Sequence, residues 1–191
     1  MSNVRTPTSI ETMNGHYIDL HNPSPAMVRL EDVAQGLATE GRYGGFLAID
    51  GEFIDGIFSV AQHAVYVSYL VGPDPQAQFT ALHHDDSEGI LHDMPTPAKR
   101  QLPDFQTMEN KMQNACYTRF GCVTHPVIMD LVHRADFACL MMEATYFQKE
   151  WAEPGYTPLF DYFKGHKIMG VKEAREFYIA RHNELVEKLG L

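Results

Sequence analysis

Proline and glycine divide this sequence into segments whose apolar residues recur at the spacing of an α-helix. Gly72-Pro73 and Gly121 close two of these segments, and Pro126 opens another. The spacing predicts helices over residues 28–40, 58–71, 75–88, 105–120, 126–147 and 171–189. In the N-terminal part, Asp50-Gly51 lies between short apolar runs and predicts a β-hairpin turn within residues 46–54. The expected fold is mostly all-α, with one short N-terminal β-hairpin.

The length of the chain suits one compact domain. Its 191 residues can bury a sizeable core, and its 45% hydrophobic and 21% charged residues are typical of globular proteins. No internal repeat or low-complexity stretch divides the sequence. We therefore predict a single domain over residues 1–191, in which the polar residues 1–14 form a loose N-terminal arm.

The charge of the chain excludes several classes of partner. Its 15 Lys and Arg against 25 Asp and Glu give a formal net charge of −10. This argues against a general nucleic-acid binder and against attraction to anionic membranes, since both need a basic surface. There is no apolar stretch of the length of a signal peptide or a membrane span, and the three cysteines show no CxxC spacing. We expect a cytoplasmic protein without a disulfide framework or a thiolate zinc site.

Four residues that commonly bind metals occur in or beside apolar helical segments. His63 and Asp136 each lie among apolar residues, and the adjacent pair His84-Asp85 lies near a predicted helix end. Taken singly, each has an ordinary structural explanation, such as a hydrogen-bonded core histidine or an aspartate paired with an arginine. A carboxylate on an apolar face is costly unless it is paired or bound to a metal. One shared metal ion would satisfy all four residues, and this coincidence favours a functional site.

Three segments of the sequence resemble the HD-domain metal-dependent phosphohydrolases, whose motif is H…HD…D spread over several helices. The segments cover residues 58–71, 81–99 and 132–140. Within the second, HDxSE (84–88) followed by DxPTPxK (93–99) is similar to the branch that hydrolyses deoxyribonucleotides. Residues 16–43 resemble the start of its phage and bacterial members. That branch contains 5′-deoxyribonucleotidases and the dATP triphosphohydrolases of phages that carry 2-aminoadenine in their DNA.

The resemblance implies a single helical HD domain and assigns roles to individual residues of this chain. The implied metal ligands are His63, His84, Asp85 and Asp136. The implied catalytic carboxylates are Glu88 and Asp93, and the implied substrate contacts are Arg42 and Lys99 for the phosphates and Tyr43 for the nucleoside.

Two residues inside the second segment depart from the family pattern. His83 stands where members usually have an apolar residue, and Asp86 stands where a small residue is common. Neither belongs to the motif itself, although His83 could support a metal ligand from behind. The HD-GYP branch, which acts on cyclic dinucleotides, is disfavoured because its extended signature is absent.

The residue types indicate a hydrolytic mechanism. Two imidazoles and two carboxylates suit Mn²⁺, Co²⁺, Fe²⁺ or Zn²⁺, and Mg²⁺ is also compatible. Such an ion lowers the pKa of bound water and polarises a phosphoryl oxygen, so that water attacks the α-phosphorus and the 5′-oxygen leaves. One of Glu88 and Asp93 would orient the water and the other would protonate the leaving oxygen. The planar fork of Arg42 and the point charge of Lys99 suit phosphate oxygens.

These features favour a dATP-type triphosphohydrolase that acts on a small-molecule deoxynucleotide. The alternative enzyme is a 5′-deoxyribonucleotidase that acts on monophosphates. An alternative of another class is a nucleotide-binding sensor that has lost turnover, but such a module has no need of both Glu88 and Asp93. A purely structural helical domain would leave His63 and Asp136 unexplained. The resemblance also suggests a homo-oligomer, for which the aromatic-rich residues 151–169 are a candidate interface.

Overall fold

The computed structural model describes residues 5–191, and most of this part of the chain is helical. Its α-helices are α1 (Leu30–Thr39), α2 (Val60–Leu70), α3 (Pro75–Leu82), α4 (Glu88–Leu91), α5 (Thr96–Lys99), α6 (Pro103–Phe120), α7 (Pro126–Tyr146), α8 (Leu159–Tyr162) and α9 (Val171–Leu189). Its strands are β1 (Ser9–Glu11), β2 (Tyr17–Asp19), β3 (Ala48–Ile49) and β4 (Glu52–Phe53). The predicted fold, mostly all-α with a short N-terminal β-hairpin, is confirmed.

The strands form two small antiparallel pairs. β3 and β4 pair around Asp50 and Gly51, whose φ angles of 51° and 80° are the left-handed values that a tight hairpin turn needs. β1 pairs with β2 in the segment expected to be a loose arm, residues 1–14, of which residues 1–4 lie outside the described residues. The expectation of a loose arm is therefore wrong for Ser9–Glu11, which are paired in β1. The Thr12 hydroxyl, which donates to Asp32 of α1 at 2.9 Å, also attaches this segment to the domain.

The ends of several helices follow from their capping residues. Ser59 precedes α2, and its hydroxyl oxygen accepts a hydrogen bond from the backbone N–H of Gln62 at 3.2 Å. Gly121 closes α6 with a left-handed φ of 76°, a conformation that glycine adopts without a steric cost. Pro75 and Pro126 occupy the first positions of α3 and α7, where a missing N–H costs nothing.

The predicted helix over residues 75–88 is wrong beyond Leu82. α3 ends there, residues 83–87 form a turn, and α4 begins at Glu88. The chain leaves the helix because other elements bind both ends of the turn. The side-chain amide of Gln113 on α6 donates to the His83 carbonyl at 2.7 Å and accepts from the Ser87 N–H at 2.9 Å. Consequently His84 and Glu88 do not lie on a single helix, as the predicted span of residues 75–88 would have required.

Helix α2 occupies the centre of the domain. It packs against α1, α3, α7 and α9, and every residue from 60 to 68 is buried. One hydrophobic cluster joins it to α1 and α9, and a second joins it to α7 and the region of the β3–β4 hairpin. Although α2 is buried on all sides, no helix within residues 5–191 is long and apolar enough to cross a membrane. His63 is therefore held inside the protein core.

Helices α1 and α4 approach each other through two glycines. A Cβ atom added to Gly36 would lie only 1.7 Å from the carbonyl oxygen of Gly89. A Cβ on Gly89 would in turn lie 2.7 Å from the carbonyl oxygen of Val33. Only glycine fits at both positions, and this close contact fixes the helix that begins with Glu88.

Candidate metal centre

Three elements of the fold bring the four predicted metal ligands together. His63 lies in the middle of α2, Asp136 lies on α7, and His84 and Asp85 lie in the turn after α3. Nε2 of His63 is 3.1 Å from Oδ1 of Asp136 and 3.8 Å from Oδ2 of Asp85. Nε2 of His84 is 3.2 Å from the same Asp85 oxygen and 3.6 Å from the same Asp136 oxygen. Two imidazole nitrogens and two carboxylate oxygens thus face one another.

The arrangement fits a divalent metal ion. Nε2 of His63 and Nε2 of His84 are buried, and neither has a hydrogen-bond partner within the described residues. Leaving such an atom unsatisfied costs about 1–3 kcal/mol. Ligand atoms about 2.1 Å from an ion lie about 3.0 Å apart in an octahedral site and about 3.4 Å apart in a tetrahedral one. The nitrogen–oxygen distances of 3.1, 3.2, 3.6 and 3.8 Å are close to these values.

The second ring nitrogen of each histidine has an oxygen acceptor. Nδ1 of His84 is 2.8 Å from the carbonyl oxygen of Ala81, and Nδ1 of His63 is 2.5 Å from Oε1 of Glu143. A carbonyl or carboxylate oxygen can only accept, so each Nδ1 carries a proton. The Nε2 atoms then face the carboxylates, which is the usual orientation of metal-binding histidines.

The two carboxylates control the electrostatics of the site. Burial alone lowers the pKa of His84, but Asp85 and Asp136 outweigh it and hold the pKa of His84 well above its ordinary value. Burial alone raises the pKa of Asp136, but the nearby His63 and His84 reverse this and lower it. The pocket therefore attracts positive charge strongly. A divalent cation can replace the histidine protons, because histidine binds metals through an unprotonated nitrogen.

Glu143 is a site residue that the sequence analysis missed. It lies on α7, two helical turns after Asp136, and it is completely buried. Its Oε2 accepts hydrogen bonds from Nε and Nη2 of Arg42, at 3.3 and 3.2 Å, and from the Tyr43 hydroxyl at 3.0 Å. Burial opposes ionisation, but Arg42 and His63 lower the pKa of Glu143 to about 2. Its signal in the sequence, a carboxylate among apolar residues, was the same as that of Asp136.

A second group of potential ligands shares His63 but is already hydrogen-bonded. His63, Cys139 and Glu143 have ligand atoms within 4.8 Å of one another. The Cys139 thiol donates to Oε1 of Glu143 at 3.4 Å, and burial together with Glu143 raises the pKa of that thiol well above its ordinary value. A thiol that keeps its proton is a poor metal ligand. This group therefore orients His63 through the hydrogen bond between Glu143 and Nδ1 of His63.

The two predicted catalytic carboxylates lie close to the metal ligands. Glu88 is 8% exposed, and its Oε2 is buried without a hydrogen-bond partner in the described chain. Burial, Asp85 and Asp93 raise the pKa of Glu88 well above its ordinary value. Burial also raises the pKa of Asp93, against the opposing effect of Arg42. Two carboxyl groups with raised pKa values beside a candidate metal site are suited to proton transfer.

Arg42 and Tyr43 are connected to the candidate metal centre by their hydrogen bonds to Glu143. The Arg42 side chain is only 13% exposed, and its Nη1 makes no hydrogen bond within residues 5–191. Tyr43 has a left-handed backbone, with φ 58° and ψ 27°, which costs a non-glycine residue about 1–3 kcal/mol. Its ring lies 6.2 Å from that of Trp151 and 6.4 Å from that of Phe147. Strained backbone of this kind is concentrated at functional sites.

Lys99, the third predicted substrate contact, lies between two glutamates at the end of α5. Its Nζ is 2.6 Å from Oε1 of Glu109 and 3.6 Å from Oε1 of Glu88. The ammonium group is therefore near Glu88, one of the two predicted catalytic carboxylates. The neighbouring Arg100 is exposed.

The chain is similar to two bacterial proteins. It is 34% identical over 135 residues to the uncharacterized protein YfdR of Escherichia coli, an alignment that covers 70% of this chain and 69% of YfdR. It is 27% identical over 191 residues to the uncharacterized protein RCAP_rcc00048 of Rhodobacter capsulatus, which covers 93% of this chain and 95% of that protein. No protein-family model matches the chain.

Proposed function

The chain belongs to the same family as Escherichia coli YfdR, and we propose that it is a metal-dependent phosphohydrolase that cleaves deoxynucleotides at the α-phosphate. The observation that carries this proposal is the pair of buried, unpartnered Nε2 atoms of His63 and His84. They face the carboxylates of Asp85 and Asp136 at ligand-to-ligand distances. A purely structural core would have no reason to keep four such groups together.

His63, His84, Asp85 and Asp136 would hold the ion. When bound, a divalent ion supplies Lewis acidity, which activates water and neutralises charge on a phosphoryl oxygen. Glu143 holds the proton on Nδ1 of His63 and so directs Nε2 into the site. Ala81 does the same for His84 through its carbonyl oxygen.

Glu88 and Asp93 would move the protons. The pKa of Glu88 is raised well above its ordinary value by burial and by its acidic neighbours, so this carboxyl keeps a proton to higher pH than an ordinary glutamate and would give it to the leaving 5′-oxygen. Asp93 is less buried, and it would orient the attacking water and accept its proton. After each turnover, Asp93 would hold the proton taken from water and Glu88 would have lost its own. Transfer of a proton from Asp93 to Glu88 would restore the starting state.

Arg42 and Lys99 would bind the phosphate oxygens. Nη1 of Arg42 makes no hydrogen bond within residues 5–191, and Nζ of Lys99 lies 3.6 Å from Oε1 of Glu88. In the proposed step, the oxygen of a water molecule forms a bond to the α-phosphorus. The bond between the α-phosphorus and the 5′-oxygen of the nucleoside breaks at the same time. dATP and water then yield deoxyadenosine and tripolyphosphate, whereas a monophosphate would yield the nucleoside and phosphate.

The resemblance of the sequence to the phage dATP triphosphohydrolases makes dATP the first substrate to test. A 5′-deoxyribonucleotidase is the alternative enzyme, and a nucleotide sensor without turnover is the alternative of another class. The homo-oligomer and the interface at residues 151–169 stay predictions. Trp151 and Tyr162 in that region are 52% and 57% exposed, so their rings are accessible to a partner.

One assay separates these functions. Purified protein loaded with Mn²⁺ or Co²⁺ would be given each dNTP and each dNMP, and tripolyphosphate and phosphate would be measured. Tripolyphosphate released from dATP supports the proposal, and phosphate released from several dNMPs supports the nucleotidase. Nucleotide binding without either product supports the sensor.

Two variants test the roles of the residues in the same assay. Asp85→Ala should lose metal binding and turnover together. Glu88→Gln should keep the metal and lose most of kcat. A fully active Asp85→Ala variant that retains its metal would refute the ligand assignment, and unchanged kinetics of Glu88→Gln would remove Glu88 from the mechanism.

A further inference from the structure

The two residues that depart from the family pattern are hydrogen-bonded to each other. Nδ1 of His83 lies 2.7 Å from Oδ2 of Asp86, and both side chains are completely buried. They flank His84 and Asp85 in the turn between α3 and α4. The turn therefore carries the two proposed metal ligands together with a buried, hydrogen-bonded His83–Asp86 pair.

Two residues of helix α9, near the C-terminal end of the sequence, contact this buried pair. The Tyr178 hydroxyl donates to Oδ1 of Asp86 at 2.5 Å, and it also lies 3.0 Å from Nδ1 of His83. Nδ1 of His182 is 3.0 Å from Nε2 of His83. We refer to His83, Asp86, Tyr178 and His182 as the α9 network. Both nitrogens of His83 and both oxygens of Asp86 are satisfied within it.

The backbone of the same turn is held by α6. The Gln113 side chain bridges the His83 carbonyl and the Ser87 N–H, the first and last residues of the turn. The ring of His83 also stacks on Phe120, with ring centroids 4.3 Å apart. With two helices bound to it, the turn has little freedom to shift. A fully satisfied buried network of this kind fixes a unique conformation.

We propose that the α9 network positions the turn that carries His84 and Asp85, and thereby sets the affinity of the site for its metal ion. The inference rests on the proposed metal centre, and it adds Tyr178 and His182 as positioning residues. Neither of them contacts a metal ligand; they act through His83 and Asp86. A ligand displaced by a fraction of an ångström binds its ion less well, since metal sites require a narrow range of distances.

The test measures Mn²⁺ affinity by isothermal titration calorimetry in the full-length protein. Tyr178→Phe and His182→Leu should each lower the affinity about tenfold, the lower end of what loss of a supporting hydrogen bond costs a metal site. His182→Asn keeps a polar atom near the position of Nδ1 and should recover most of the affinity. Amide hydrogen exchange should become faster in residues 84–88 of the two impaired variants.

A matched control removes a different buried hydrogen bond of α9. The Ser68 hydroxyl accepts from Nε of Arg181 at 3.0 Å, and the side-chain hydrogen bonds of both residues go to residues outside the turn. Ser68→Ala should lower the thermal midpoint of the metal-free protein about as much as Tyr178→Phe does, while its Mn²⁺ affinity stays unchanged.

The outcomes distinguish the inference from the proposed function. If Tyr178→Phe and His182→Leu bind Mn²⁺ like the wild type, the network only stabilises the fold and the inference is overturned. If the wild-type protein itself binds no Mn²⁺, the metal centre is wrong and the inference falls with it. Loss of affinity in both variants, with recovery in His182→Asn and none in Ser68→Ala, supports it.

Discussion

Glu143 on α7 accepts a hydrogen bond from Nδ1 of His63 on α2, on the side of the imidazole opposite the nitrogen that faces Asp136. The same carboxylate binds Arg42 and Tyr43. One buried acid therefore orients a candidate metal ligand and places two candidate substrate contacts beside it. This relationship joins the candidate metal site and the candidate substrate contacts into a single unit.

Replacing Glu143 with glutamine should damage both parts of this unit. The change leaves the Arg42 guanidinium buried without its counter-charge, which costs about 3–5 kcal/mol of unfolding free energy. Mn²⁺ affinity should fall about 10- to 100-fold, because the hydrogen bond that orients His63 is weakened. Calorimetry and urea unfolding measure the two effects, and Glu153→Gln, at an exposed position, is the control. Unchanged Mn²⁺ affinity would contradict the role given to Glu143.

Alanine at Gly36 should displace the helix that carries Glu88. The added methyl group would overlap the Gly89 carbonyl, so α1 and α4 must separate at a cost of about 1–3 kcal/mol. We expect a lower thermal midpoint together with a reduced kcat. Gly170→Ala is the control, since a Cβ there meets nothing within 4 Å. A Gly36→Ala variant as stable and active as the control would show that this contact is not required.

Glutamine at Lys99 should weaken nucleotide binding. The ammonium group is near Glu88, and its loss removes a charge-assisted contact with phosphate, so KM should rise about tenfold. Arg100→Gln removes the same charge from the adjacent, exposed position and should change KM less than about twofold. Steady-state kinetics with dATP compare the two variants. Equal effects of both would mean that only the general charge of this region matters.

Metal binding should release protons. The pKa of His84 lies above its ordinary value in the metal-free protein, so the ring is protonated at a pH where a free histidine is not. Mn²⁺ must displace this proton, and its affinity should therefore increase as pH rises through the raised pKa. Calorimetry in buffers of different ionisation enthalpy counts the protons released. A pH-independent affinity would be inconsistent with His84 as a ligand.

The sequence predicted what depends on local pattern. Prolines, glycines and Ser59 place the ends of α2, α3, α6 and α7, and the polar residues within apolar segments pointed to His63 and Asp136. It did not predict the turn at residues 83–87, because that turn is made by side chains from α6 and α9 that are distant in sequence. The pairing of β1 with β2 was not anticipated either, because each of these strands has only 3 residues and leaves little pattern in the sequence.

Glu143 shows a different limit. The carboxylate stands in an apolar run like Asp136, but its importance appears only when Arg42, Tyr43 and His63 are seen around it. These partners come from elements about 80 and 100 residues away in the chain. Likewise, His83 and Asp86 could be recognised as unusual in the sequence, but not as partners of Tyr178 and His182.

The most direct test of the account is the hydrolysis of dATP by the Mn²⁺-loaded protein in H₂¹⁸O, followed by mass spectrometry of both products. Attack of water on the α-phosphorus predicts one ¹⁸O atom in tripolyphosphate and none in deoxyadenosine, with no reaction in the Asp136→Ala variant. Label in deoxyadenosine, label in orthophosphate released from the γ-position, or the absence of any product would contradict it.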